Sequence, residues 1–166
     1  MNLQNKPLAH WKFSSKEWDN FVSIELRNKK EDNFYFGIGI IILGTAGLML
    51  LRSTGFWMGI VFSLPLAILV PWLRMKFSYR HLKKGVQDPE LKIFNDFLLI
   101  NRHKIELRNV RKEIKSMKVL NTKSGIKLLE FNIRWLTAKG PTNDEIRIPI
   151  PENNEKEVEE IISNLR

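Results

Sequence analysis

The chain has no cysteine among its 166 residues. Disulfides, thiolate metal sites, iron–sulfur clusters and a cysteine nucleophile are therefore excluded. Histidine is scarce: His10, His81 and His103 are the only three, and no two of them lie three or four residues apart. They read as structural or surface residues, and no metal is expected. Gly-x-Ser-x-Gly, His-Glu-x-x-His and P-loop patterns are absent, so no catalytic residue and no cofactor is expected. Acidic residues are missing from one long stretch, Phe34 to Lys84.

Inside that stretch two runs carry no charge at all. Phe34–Leu51 reads FYFGIGIIILGTAGLMLL and Phe56–Leu73 reads FWMGIVFSLPLAILVPWL, 18 residues each. A bilayer core about 30 Å thick takes roughly 20 helical residues. Two core helices of a soluble protein would each show a polar face, and neither run does. The expectation is a transmembrane hairpin over residues 34–73, turned by Arg52-Ser53-Thr54-Gly55. A signal peptide is not expected, because the first apolar run starts late and lacks a short basic lead. Pro65 lies mid-span and frees a backbone carbonyl, so a packing kink is expected there.

The formal net charge of +9 comes from 27 Lys+Arg and 18 Asp+Glu, unevenly placed. Residues 1–33 contribute +1, residues 34–84 contribute +6 and residues 85–166 contribute +2. A nucleic-acid domain would hold its excess on the folded part, so no nucleic-acid partner is expected. Arg27, Lys29 and Lys30 precede the first run. Arg74, Lys76, Arg80, Lys83 and Lys84 follow the second, in a basic segment at 74–84. The tip has only Arg52. The positive-inside rule then puts both termini in the cytoplasm. No ionisable residue lies within either run, which argues against a self-contained transporter or pump.

The flanks read as a divided domain. Residues 1–33 form an arm with a strand-like Leu8–Phe13 and a capping box at Ser14–Glu17. Trp18, Phe21 and Val22 then make an apolar stripe, expected to pack on the C-terminal domain rather than lie on a membrane surface. Within residues 85–166, Gly85–Pro89 reads as a linker. Strands are expected over Leu91–Phe94, Phe97–Ile100, Lys104–Arg108 and Glu113–Leu120, with a turn at Asn95-Asp96. Leu129, Phe131, Ile133 and Trp135 alternate as a half-buried strand does. Lys139–Asp144 reads as a loop, and Ile146, Ile148 and Ile150 alternate again. Asn153 or Asn154 caps a last helix whose Val158, Ile161, Ile162 and Leu165 form one stripe, with Arg166 at its end.

This order of elements resembles the pleckstrin-homology-like (PH-like) fold, a β-barrel plugged by a C-terminal helix. The arm HWKFSSKEWDNF, the hairpin, the β-run from Leu91, and IRIPIP followed by EKEVEEIISNL resemble the bacterial YcxB-like group of two-span membrane proteins. That group opens a middle strand with a Trp-Ser-Asp-Ile type of sequence. Here Val110-Arg111-Lys112-Glu113-Ile114 lacks the Trp. The resemblance implies an α+β membrane protein whose cytoplasmic part is a PH-like antiparallel β-sheet or partly open barrel closed by the C-terminal helix, in a bacterial inner membrane, and carries over no catalytic residue.

Two sets of residues are singled out for function. Arg74, Lys76, Arg80, Lys83 and Lys84 suit contact with anionic head groups, although topology alone also explains them. Gly37, Gly44, Gly47, Gly55 and Gly59 suit close helix packing, either within the hairpin or with a partner helix. The expected function is that of a non-catalytic, membrane-anchored interaction or accessory protein. Its partners would be membrane lipid and a membrane protein or second copy. The alternative is a module that responds to anionic lipid.

Overall fold

A computed structural model describes residues 6–122, 124–138, 140–152 and 154–165. In chain order it has β1 (Ala9–Lys12), α1 (Ser15–Arg52), α2 (Phe56–Phe77), β2 (Glu90–Ile93), β3 (Phe97–Ile100), β4 (His103–Glu106), β5 (Lys112–Asn121), β6 (Lys127–Thr137), β7 (Gly140–Pro149) and α3 (Glu155–Asn164). These elements divide between two compact units. One joins Met1–Val22 to Lys83–Arg166, and the other is Ser23–Leu82.

In the first unit β1 is an edge strand of a sheet that the chain completes some eighty residues later. It runs antiparallel to β2, with Ala9 opposite Ile93 and Lys12 opposite Glu90. Trp11 is buried, and its indole N–H donates to Glu157 Oε2 of α3 at 2.7 Å. The capping box forms at Ser14: Ser14 N and Oγ lie 2.8 and 2.7 Å from Glu17 Oε2, and Glu17 N lies 3.2 Å from Ser14 Oγ. Side chains of that first helical stretch hold the stretch read as a linker. Ser15 Oγ donates to the Val86 and Gln87 carbonyls, Trp18 Nε1 donates to the Lys83 carbonyl, and Asp19 Oδ1 accepts from Gly85 N. Trp18, Phe21 and Val22 are buried.

The PH-like barrel expected from the sequence does not form. The strands make two separate antiparallel sheets, in the orders β1-β2-β3-β4 and β5-β6-β7, and neither closes on itself. Closure needs a continuous ladder with a consistent stagger. Here the ladder stops at β4, which has only four residues. Beyond it, Leu107 N and Arg108 N both donate to the Asp96 carbonyl at 2.8 and 3.0 Å instead of to a neighbouring strand. A tight isolated bridge between Asn109 and Lys112 then starts β5 as the edge of the second sheet. The core gathers Leu91 and Ile93, Leu98 and Ile100, Leu129, Phe131 and Ile133, and Ile148, all buried, together with Val158, Ile161 and Leu165 of α3.

A second departure lies at the β6–β7 end. The polar stretch expected as a loop is mostly strand: Gly140 pairs with Thr137, and the ladder continues through Asn143–Arg134 and Asp144–Ile133. Gly140, at φ 112, permits the tight reversal. Pro141 is tolerated because β7 is an edge strand. Trp135, expected in the core, is exposed beneath the Lys112 ammonium. Asn154 occupies the N-cap of α3 without a side-chain bond to the helix backbone. Asn153 and Arg166 lie outside the described residues.

The second unit is a helical hairpin. Its two helices are long and apolar enough to cross a membrane. α1 ends at Arg52, with Ser53 in the left-handed region at φ 50, and Gly55 caps α2. α2 runs unbroken from Phe56 to Phe77 through Pro65 and Pro71.

Candidate functional site

The hairpin is built on a seam of small residues. An added Cβ would lie 3.0 Å from the Ala67 carbonyl oxygen at Gly37, 2.5 Å from Ser63 Oγ at Gly44, and 2.9 Å from Thr45 Cγ2 at Gly59. Rising positions on α1 meet falling positions on α2, so the helices are antiparallel and in close contact. Gly59, Ser63 and Ala67, spaced four apart, are the buried face of α2. Gly47 and Gly55 have nothing within 4 Å of an added Cβ. Of the five glycines singled out, the structure brings three into the seam and leaves these two outside it.

The seam face of α1 continues toward its N-terminus in polar form, through Gly37, Asn33, Lys29 and Glu25. Asn33 is buried, and its amide nitrogen donates to the Lys29 carbonyl at 2.8 Å and lies 3.2 Å from Met75 Sδ. Glu25 is buried with Lys29 Nζ 3.7 Å away, and the Lys29 ammonium stands 5.6 Å from the Tyr79 ring centre. These residues were missed as a group from the sequence, where charge counts hid them. The signal was there: Glu25, Lys29, Asn33 and Gly37 are each four apart, one helical face.

Basic side chains and aromatic rings crowd the same end of the hairpin. Arg74 stacks over Phe36 at 5.0 Å, Lys76 over Trp72 at 4.8 Å, and Arg80 over Phe77 at 5.2 Å. Arg74, Lys76 and Arg80 are exposed, as are Phe34, Tyr35, Phe36, Trp72 and Phe77. Such cation–aromatic pairs hold a charge at the edge of an apolar surface. Lys83 and Lys84 belong to the other unit. There both are exposed, and the Lys83 carbonyl accepts the Trp18 indole N–H.

In the first unit the charged groups form structural pairs. Glu130 is buried between Lys118 Nζ, 3.0 Å from its Oε1, and Arg147 Nε, 2.7 Å from its Oε2. Burial pushes its carboxyl up, but the hydrogen bonds and charges of Arg147 and Lys118 outweigh this and hold it below the usual carboxylate value. Glu90 is likewise held low, chiefly by its hydrogen bond with Lys92 and also by His10 at 3.0 Å. The Ser14 hydroxyl keeps Glu17 low in the capping box. Open clefts of about 470 and 700 Å³ flank Phe13. Among the described residues no group of three His, Asp or Glu side chains is placed to hold a metal.

No protein-family model, no curated protein and no solved structure matches the chain. The YcxB-like resemblance therefore gains no support from comparison, and the PH-like barrel it implied is not the architecture found.

Proposed function

We propose that the chain is a two-span integral membrane protein, both termini cytoplasmic, that holds its α+β unit at the membrane as a non-catalytic interaction or accessory protein. One observation carries the membrane reading. Only 11% and 17% of the most apolar windows of α1 and α2 are buried. Each helix covers the other along one face, and Leu43, Leu50, Trp57, Val61 and Ile68 point away from the protein. In water such a surface is a large liability; in hydrocarbon it is satisfied. The basic and aromatic collar at the open end, against a lone Arg52 at the tip, supports the cytoplasmic orientation.

The interaction role is supported by two features. The charge-free runs 34–51 and 56–73 contain no Asp, Glu, His, Lys or Arg to serve as a relay. The edge strands β1, β4, β5 and β7 each have a strand partner on one side only among the described residues, and an extended segment of a partner can add to such an edge. Mild cross-linking in native membranes, followed by purification, tests the role. A defined species larger than the chain itself is expected. Recovery of the lone chain only would contradict it.

A second reading, a module responsive to anionic lipid, is favoured by the exposed Arg74, Lys76 and Arg80. In that case the unfolding midpoint of the full chain in vesicles should move with headgroup charge and with salt. A midpoint indifferent to both would set this reading aside.

A further inference from the structure

Of the edge strands, three are guarded against further pairing. β1 and β4 have four residues each. β5 carries a register shift between Ile114 and Ser116, and Lys112, Lys115 and Lys118 stand along it. Short length, bulges and lysines are the devices that keep an edge from pairing. β7 has none of them. It is ten residues long, it has no lysine, and its ladder with β6 runs unbroken from Gly140–Thr137 to Pro149–Leu128.

One hydrogen bond fixes which backbone groups of β7 face the open side. Ile150 N donates to the Lys127 carbonyl of β6 at 2.9 Å. Backbone groups alternate sides along a strand. Ile148, Ile146 and Asp144 therefore face β6 as Ile150 does, and Arg147, Glu145 and Asn143 point their N–H and C=O groups outward. Pro149 and Pro141 fall in the same outward set, where a missing N–H breaks no bond to β6. Pro141 to Glu145 are exposed, and Ile146 and Arg147 are half-buried. Glu145 and Arg147 lie on one face of the strand and pair at 2.7 Å.

Charge selects what this edge takes. Two copies that extend one sheet about a two-fold axis pair antiparallel, with facing residues on the same face. The axis then passes through a residue that faces itself. A centre at Asp144, Glu145 or Arg147 sets that charge against its like, which is destabilising. A centre at Thr142, Asn143 or Ile148 brings no opposite charges together within β7. A centre at Ile146 sets Ile146 against Ile146, and Glu145 against Arg147 of the second copy, on both sides of the axis. Both are outward residues with an N–H, so each of these contacts is also a hydrogen-bonded backbone pair. With the pair already present in each strand, the charges close a ring of alternating sign. We infer that β7 pairs with β7 of a second copy about a two-fold axis through Ile146, joining the two β5-β6-β7 sheets into one. This pairing rests on the interaction reading and deepens it, because it names the partner: Glu145-Ile146-Arg147 is complementary to itself.

The test uses the full chain in native membranes, with two differently tagged copies expressed together. Ile146→Cys supplies one thiol per copy in a cysteine-free chain. Facing Cα atoms at a non-hydrogen-bonded position lie about 4.5 Å apart, within disulfide range. Mild oxidation should therefore link the two tags through Ile146→Cys. Thr142→Cys is exposed on the same strand, but in this register it lies about 27 Å from its counterpart and should not link. Glu145→Arg, at an exposed position with Ile146 intact, should weaken co-purification of the two tags about tenfold. In variants that keep the wild-type proteolysis pattern, absence of the Ile146→Cys link, equal linking at both cysteines, or co-purification unmoved by Glu145→Arg would each overturn the pairing. Chemical cross-linking of the wild type separates the two claims. A species that holds one copy and a different protein fails this pairing alone, whereas the lone chain fails the interaction reading as well.

Discussion

Arg102 and Asn101 stand at φ 71 and φ 46, the two central positions of the turn that joins Ile100 to His103. Tight hairpins want positive φ at both positions, and Asn-Gly is the pair that meets it at least strain. Arginine there carries the left-handed penalty of about 1–2 kcal/mol. Arg102 is exposed, so Arg102→Gly should raise stability by about 1 kcal/mol, read as a rise in the denaturation midpoint. A fall would mean that the Arg102 side chain makes a contact worth more than the strain. Glu130 makes the opposite kind of prediction. Its carboxyl is held below its ordinary value of 4.5. The stability it gives is therefore complete above that value and is lost as pH falls through the lower folded value. Glu130→Gln should cost about 1–3 kcal/mol at neutral pH, and the deficit should close in strong acid. A deficit that persists unchanged in acid would contradict the pairing with Arg147 and Lys118.

At the scale of elements, β1 and the glycine seam are the two features most open to test. Trp11 is 2% exposed and donates to Glu157, so Trp11→Ala should cost about 3–5 kcal/mol in thermal or denaturant unfolding. A loss below about 1 kcal/mol would mean that β1 is not part of the core. In the hairpin, Gly44→Leu should separate the helices, since an added Cβ already meets Ser63 Oγ at 2.5 Å, whereas an added Cβ at Gly47 has nothing within 4 Å. Detergent-denaturation midpoints should fall for the first and stay for the second. Equal behaviour would refute the seam.

These elements also show how much the residues alone disclosed. The apolar runs, the capping box at Ser14 and the hairpin strand Phe97–Ile100 were legible because length, spacing and turn chemistry are local signals. Gly140–Asp144 was not, because a polar, Gly-Pro-containing stretch reads as a loop until its ladder with β6 is seen. The failure of the barrel to close was also hidden. It depends on where Leu107 N and Arg108 N find their acceptor, a tertiary choice that no periodicity records. At the candidate site, the basic residues and three of the seam glycines could be named from spacing. Asn33 was not legible, because one polar residue after the four charged residues Lys29–Asp32 carries no pattern until Met75 and the Lys29 carbonyl are placed against it.

For the whole molecule, the proposed membrane hairpin requires that both ends of the α1–α2 pair lie on one face of the membrane and the Arg52–Gly55 turn on the other. The absence of cysteine makes a direct measurement possible. Single substitutions Thr54→Cys at the turn and Ser124→Cys in the folded unit each give one thiol in an otherwise thiol-free chain. Intact cells are treated with a membrane-impermeant maleimide before and after permeabilisation. Thr54→Cys should be labelled in intact cells, and Ser124→Cys only after permeabilisation. Labelling of both from the same side would contradict it.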